Sequence, residues 1–218
     1  MTAFGVMRAN MINGQILPNK ITDLRLIDVL SKLPRELFVA QSQRSVAYVD
    51  DDIEIAPNRY LMEPRVFARL VQALAPGPDE VGLYIGCGSG YGVAVLANLC
   101  NTVIGLECDV ALAERASGLF AELEIDNAVV VEGPLDKGYA EQGPYDLVLI
   151  EGAISDVPSV ILDQLAESGR LAAVVSSGQS LGEATIIRRV GEVYGSRVLF
   201  NASSSSLPGV ESAPEFTF

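Results

Sequence analysis

The spacing of apolar residues changes character at Pro64. Upstream of it, ITDLRLIDVLSKL places Leu24, Ile27, Val29, Leu30 and Leu33 near helical spacing, with Thr22 or Asp23 as a start signal and Pro34 as a stop. The next stretch, PRELFVAQSQRSVAYVDDDIEIAP, reads as a short helix followed by an acidic turn at Asp50, Asp51 and Asp52. Short helices and turns are therefore expected from Met1 to about Glu63. From Pro64 onward, apolar runs of strand length alternate with helical periodicity. PRVFARLVQALAP, GYGVAVLANLC and VALAERASGLFAELE predict helices, while VGLYI, TVIGLE, NAVVVEG, YDLVLIEG and GRLAAVVSS predict buried strands. VPSVILDQLAE and GEATIIRRVGEV read as two further helices, and RVLFNA and EFTF as closing strands. Strands apolar on both faces and separated by helices form a parallel sheet covered on both sides. The expected division is a helical N-terminal lobe, residues 1–63, and an α/β domain, residues 64–218.

Composition narrows the functions this frame can serve. With 49% hydrophobic and 20% charged residues, 218 residues suffice for a well-buried core. The 28 acidic residues outweigh 15 basic ones, for a net charge of −13. Such a surface repels phosphate backbones and anionic lipids unless its basic residues cluster, and here they do not. Nucleic-acid and membrane partners are not expected. Cys87, Cys100 and Cys108 lack the paired spacing of a disulfide framework or zinc site, which suits a reducing compartment. The first twenty residues lack a basic start followed by an apolar stretch, and no apolar run reaches the ~18 residues of a membrane span, so a cytoplasmic location is expected. The aspartates at 50–52 lack the glycine and later glutamate of a calcium loop and read as a solvated turn, so no metal site is expected. Histidine is absent, which removes the commonest general base and metal ligand.

The candidate chemistry lies in IGCGSGYG, where a strand feeds a glycine-rich turn that opens into a helix. Its glycines fall at Gly86, Gly88 and Gly90. A dinucleotide fingerprint wants the third glycine one place later, at Tyr91, and no lysine followed by serine or threonine closes a P-loop. Glu107 ends the next strand about twenty residues on, where a carboxylate can accept hydrogen bonds from both ribose hydroxyls. The pattern suits an adenosine-containing ligand without a pyrophosphate and disfavours an NAD-linked oxidoreductase.

With these residues the chain resembles class I S-adenosylmethionine-dependent methyltransferases, and within them the protein-L-isoaspartate O-methyltransferase family. The matching stretches are MINGQI, LPRELFV, AYVDDDIEI, GCGSGYGVAVLANL, PYDLVLIEGA and VPSVILDQLAESGRL, in order along nearly the whole chain. The resemblance implies a Rossmann-like, seven-stranded, mostly parallel sheet with helices on both faces and one antiparallel strand near its edge. A helical N-terminal lobe would help cover the acceptor. It implies S-adenosylmethionine as cofactor, held at Gly86, Cys87, Gly88, Gly90, Tyr91, Glu107 and Leu135. It also implies methylation of the carboxylate of isoaspartyl residues in proteins or peptides, a first step of protein repair. A carboxylate already ionised at neutral pH needs no histidine to attack a sulfonium methyl.

Four departures from the family pattern bear on the site. Met62, in APNRYLMEP, stands where the family has the serine of Thr-Ile-Ser, which leaves Arg59 or Arg65 as replacement cationic anchors for the acceptor. Pro134 and Leu135 replace the last two residues of a Gly-Asp-Gly segment, so Leu135 is left to pack on adenine and Glu132 or Asp136 to supply a polar contact. Tyr84 replaces an acidic residue before the turn. Glu151 follows the fourth strand, where it is placed either to bind the cofactor's ammonium group or to face the loop. Met62, Arg59 and Glu151 are accordingly the acceptor-site candidates. Cys87 reads as a small turn residue rather than a nucleophile, and Tyr91 as a residue that packs or touches cofactor. The alternatives are a methyltransferase for another acceptor, such as a small carboxylate, and a scaffold that has lost turnover.

Overall fold

The computed structural model describes residues 2–176 and 181–210; the strand expected at EFTF lies outside the described residues. Helix α1 (Ala3–Met11) and helix α2 (Leu24–Lys32) begin the lobe. The Asp23 carboxylate starts α2 by accepting the N–H groups of Arg25 and Leu26 at 2.9 and 3.4 Å. Strands β1 (Ile53–Ala56) and β2 (Arg59–Leu61) then form a separate antiparallel hairpin, and α3 (Pro64–Leu74) follows with proline in its first turn. The main sheet and its helices comprise β3 (Val81–Ile85), α4 (Tyr91–Ala97), β4 (Thr102–Glu107), α5 (Val110–Glu122), β5 (Ala128–Glu132), β6 (Tyr145–Ile154), α6 (Ser159–Leu162), β7 (Leu165–Val175), β8 (Gly182–Val190) and β9 (Val193–Ala202).

The seven strands lie in the order β5-β4-β3-β6-β7-β8-β9, all parallel except β8, which runs against both neighbours. The expected mostly parallel sheet with one reversed strand near its edge is thus present. Its two faces follow from the period of two along each strand. Tyr84, Val103, Leu147 and Leu149 pack toward α3, α4, α5 and the lobe, in one apolar cluster that also holds Met11, Leu26 and Phe38. Leu83, Ile85, Ile104 and Ile150 point the other way, toward Ile161 of α6 and Leu135.

Two expected helices are corrected. GEATIIRRVGEV is β8 and the turn after it. Its run of β-branched Thr185, Ile186 and Ile187 fills a buried strand, and Gly191, at φ +59°, makes with Glu192 a two-residue hairpin into β9. The helix expected over 157–167 stops at Leu162, and Leu165 already pairs with Tyr145. The hairpin β1–β2 was not expected from the pattern either.

Two buried arginines join the parts. Arg170 donates to the carbonyls of Leu74, Ala75 and Asp146 and pairs with Glu80, tying the end of α3 to the sheet. Arg35 donates to Ala47 O at 2.8 Å and Met62 O at 2.7 Å, with its guanidinium carbon 4.8 Å from the centre of the Tyr91 ring.

Candidate active site

At the C-terminal edge of β3 the chain turns through three glycines with positive φ: Gly86 at +74°, Gly88 at +55° and Gly90 at +92°. The N–H groups of Gly86 and Cys87 both donate to Leu106 O, which binds the turn to the end of β4. A Cβ on Gly88 would lie 2.7 Å from Cδ1 of Ile55, and one on Gly86 would lie 2.8 Å from Cδ1 of Leu207. At these two positions the missing side chain makes a cradle, and side chains from β1 and from the segment after β9 reach into it. At Gly90 the same construction meets Phe120 and Ala116 at 2.8 and 2.9 Å, so the third glycine lets α4 pack on α5.

Glu107, fully buried, ends β4 beside the turn. Its carboxylate accepts the N–H groups of Gly88, Cys108 and Asp109 at 2.7, 2.8 and 2.9 Å. It also accepts both terminal nitrogens of Arg59, Nη2 at 2.7 Å and Nη1 on the other oxygen. Burial acts to raise the carboxyl pKa, but the Arg59 guanidinium outweighs it and holds Glu107 below the ordinary carboxylate range. Burial likewise opposes the charge on Arg59, and Glu107 more than compensates. Arg59, considered above as an acceptor anchor, is therefore placed against Glu107, the carboxylate expected to meet ribose.

Glu151 lies across the cleft, 4% exposed, with Oε1 accepting the Met62 N–H at 3.1 Å. Burial pushes its pKa up to about 7, against the opposing pull of the Met62 N–H, Tyr84, Arg35 and Arg59. Tyr84, the residue in place of the acid, is fully buried, and its phenol abuts Gly92 of α4. Between Arg59, Met62, Glu151 and Ser204–Ser206 there remains a crevice of about 10 Å³, the room of one water molecule.

Asp52 closes this crevice from outside. One oxygen accepts the Glu63 N–H at 2.8 Å and the other the Ser205 N–H at 2.7 Å, so it joins the hairpin's base to the segment carrying Leu207. It is a latch, unlike its exposed neighbours Asp50 and Asp51 in the expected solvated turn. Ala153 exchanges backbone hydrogen bonds with Ser205 and Leu207, which holds that segment along the end of β6.

The other expected residues fall into packing roles. The Cys87 thiol is buried and pushed well above its ordinary pKa by burial and by Glu107, which suits the reading of it as a turn residue. Tyr91 packs edge-on against Phe38, 5.4 Å between ring centres, and faces the lobe. Leu135 is buried in the second apolar cluster, Glu132 is exposed, and Asp136 pairs with Lys137 at 3.1 Å. Arg65 pairs with Glu63 at 2.9 Å and Asp50 at 3.8 Å on the partly exposed side of α3. Sequence spacing did not reveal Ile55, Asp52 or Leu207, because each reaches the turn only through tertiary packing.

A parallel sheet with one reversed strand, a glycine turn leaving its first central strand and a carboxylate ending the adjacent strand define a class I methyltransferase fold. Residues 8–196 match the family model described as protein-L-isoaspartate(D-aspartate) O-methyltransferase. Relatives named protein-L-isoaspartate O-methyltransferase include one from Synechococcus sp. (strain JA-2-3B'a(2-13)), 38% identical over 177 residues, covering 81% of this chain and 72% of the relative. Another, from Methanoregula boonei, is 32% identical over 187 residues and covers 86% of each chain. A solved protein-L-isoaspartate O-methyltransferase aligns with a TM-score of 0.82 at 22% identity, over 93% of this chain and 66% of that one. A structure from Plasmodium falciparum, titled as a putative member in complex with S-adenosyl-L-homocysteine, aligns with a TM-score of 0.78 at 19% identity, over 96% of this chain and all of that one. The chain belongs to the protein-L-isoaspartate(D-aspartate) O-methyltransferase family.

Proposed function

We propose that the chain is an S-adenosylmethionine-dependent O-methyltransferase acting on the carboxylate of L-isoaspartyl residues in proteins and peptides. The observation that carries this reading is the glycine turn with Glu107 beside it, within a chain that matches the family over residues 8–196. Glycine at 86 and 88 leaves the backbone without a Cβ, so a nucleoside can approach it once Ile55 and Leu207 draw back, and Glu107 can accept ribose hydroxyls once the Arg59 guanidinium gives up its place. Cys87 and Gly90 belong to the turn itself, while Tyr91 and Leu135 pack in the two apolar clusters on either side of the sheet. When bound, S-adenosylmethionine supplies a methyl group on a positively charged sulfur, a fit electrophile for a carboxylate that is ionised at neutral pH.

This chain's residues then act by placement rather than by proton transfer, which agrees with the absence of histidine. Arg35 and Glu151 fix the backbone at Met62, Glu151 accepting the N–H of its preceding peptide group and Arg35 donating to the C=O of the following one. Ile55, Met62 and Leu207 present apolar atoms that exclude water from the cleft. We assign residues 1–63 as the lobe that covers the acceptor, and the net charge of −13 favours a protein or peptide acceptor over nucleic acid. Among the described residues no helix is long and apolar enough to cross a membrane.

The test uses methyl-labelled S-adenosylmethionine and two peptides of one sequence, with either an isoaspartyl or an aspartyl residue. A base-labile methyl ester forming on the isoaspartyl peptide alone is the expected result. Equal labelling of both peptides overturns the acceptor assignment.

A further inference from the structure

We propose that Arg59 exchanges partners during the cycle: it pairs with Glu107 while no nucleoside is in the cleft, and with the acceptor's carboxylate once ribose hydroxyls have taken Glu107. The proposal rests on the methyltransferase reading above and adds to it an internal competitor for the cofactor that becomes an anchor for the substrate.

The oxygens of Glu107 are fully used. Three of their donors, the N–H groups of Gly88, Cys108 and Asp109, belong to the turn and to the start of α5, and they stay with the fold. The donors that can leave are those of Arg59, a side chain from another element. Ribose hydroxyls therefore reach Glu107 by displacing the guanidinium, and Ile55, over Gly88, must withdraw with it.

The hairpin that carries both side chains has a fixed base, with Ile53 and Leu61 buried in the main apolar cluster, so the part that can move is its outer end. It consists of strands of four and three residues outside the main sheet, a size that is marginal without packing. Its tip contains Asn58 at φ +58°; Ile55 and Arg59 reach the glycine turn and Glu107, and Asn58 and Tyr60 line the crevice beside them.

A displaced guanidinium keeps its charge and needs an anion nearby. Arg59 is the sole cation among the described residues lining the crevice beside Met62 and Glu151. The native carboxylates there are engaged: Asp52 by the N–H groups of Glu63 and Ser205, Glu151 by that of Met62. An incoming carboxylate supplies what the crevice lacks, and a planar guanidinium holds it through two parallel hydrogen bonds. Cofactor binding thus prepares the acceptor site, and the acceptor binds second.

The experiment compares wild type, Arg59→Ala and Arg59→Lys in two readouts, calorimetric titration with S-adenosylhomocysteine and KM for the isoaspartyl peptide at saturating S-adenosylmethionine. Arg59→Ala is expected to bind S-adenosylhomocysteine at least tenfold more tightly and to raise the peptide KM at least tenfold. Arg59→Lys is expected to move both in the same directions by less. A residue that merely supports the fold would weaken both ligands together, and that result overturns the proposal. Tighter S-adenosylhomocysteine binding with an unchanged peptide KM also overturns it, because the freed guanidinium then has another partner such as Glu151. Hydrogen exchange on wild type decides the matter if Arg59→Ala fails to fold: the amides of residues 53–61 should exchange faster with S-adenosylhomocysteine present, and unchanged or slower exchange refutes the displacement. Absence of S-adenosylhomocysteine binding by all three proteins refutes the methyltransferase reading itself, whereas equal binding by all three refutes only the role of Arg59.

Discussion

Glu107 and Glu151 face the same cleft with opposite responses to pH. The pKa of Glu107 is depressed, so its stabilising contribution is present above the ordinary carboxylate pKa of about 4.3 and is lost as pH falls through the lowered value. Glu151 is raised to about 7, so the folded state binds its proton more tightly than the unfolded chain does. Stability from this group is therefore highest below about pH 4.3 and declines as pH rises to about 7, by roughly 3 kcal/mol over the window. Glu151→Gln, which keeps an oxygen for the Met62 N–H, should raise the unfolding free energy by roughly 3 kcal/mol at pH 8 and by only about 1 kcal/mol at pH 5. Urea denaturation of both proteins at the two pH values measures this, and an equal effect at both would show that Glu151 does not titrate there. At this scale the sequence was legible where the site is contiguous: three glycines and an acid about twenty residues on were enough to locate the turn and Glu107. The partner of Glu107 was not, because Arg59 lies 48 residues before it and no spacing rule links an arginine in a short hairpin to the end of β4.

Among the elements, β3 and β4 carry the boundaries read from their apolar runs, and α3 and α5 match their helical patterns to within two residues. The run over 182–193 misled because Ile186, Ile187 and Val190 also fit helical spacing, whereas the tertiary setting, a place between β7 and β9, favours their β-branched shapes. Its Gly-Glu turn was the contrary signal. Gly191→Val should test that turn: a β-branched residue at φ +59° costs on the order of 1–2 kcal/mol, seen as a lower midpoint in chemical denaturation. A cost below a few tenths would mean that the turn rearranges freely. The hairpin β1–β2 was illegible for a different reason. Its strands are too short for a period, and its stability comes from tertiary packing: Ile53 and Leu61 in the main core, and Arg59 on Glu107.

Over the whole molecule, the apolar cluster that begins with Met11 continues without a break through α3, α4 and the sheet to Ala202. A lobe that shares its core with the sheet cannot melt alone. Thermal unfolding should show one transition, coincident by near- and far-ultraviolet circular dichroism, and residues 64–218 expressed alone should fail to give a cooperative transition. Two separated transitions would mean that the lobe has an independent core. Arg35 adds a mechanical consequence to this continuity. Its hold on Met62 O and Ala47 O pins one end of β2 to the body, while Arg59 lies three residues toward the tip. Met62 is then a pivot and Arg59 the end of an arm about 10 Å long, so a small rotation at the pivot becomes a large sweep of the guanidinium. In the proposed exchange of partners the backbone facing Glu151 would stay still, and the floor of the cleft would keep one shape in both positions of the arm.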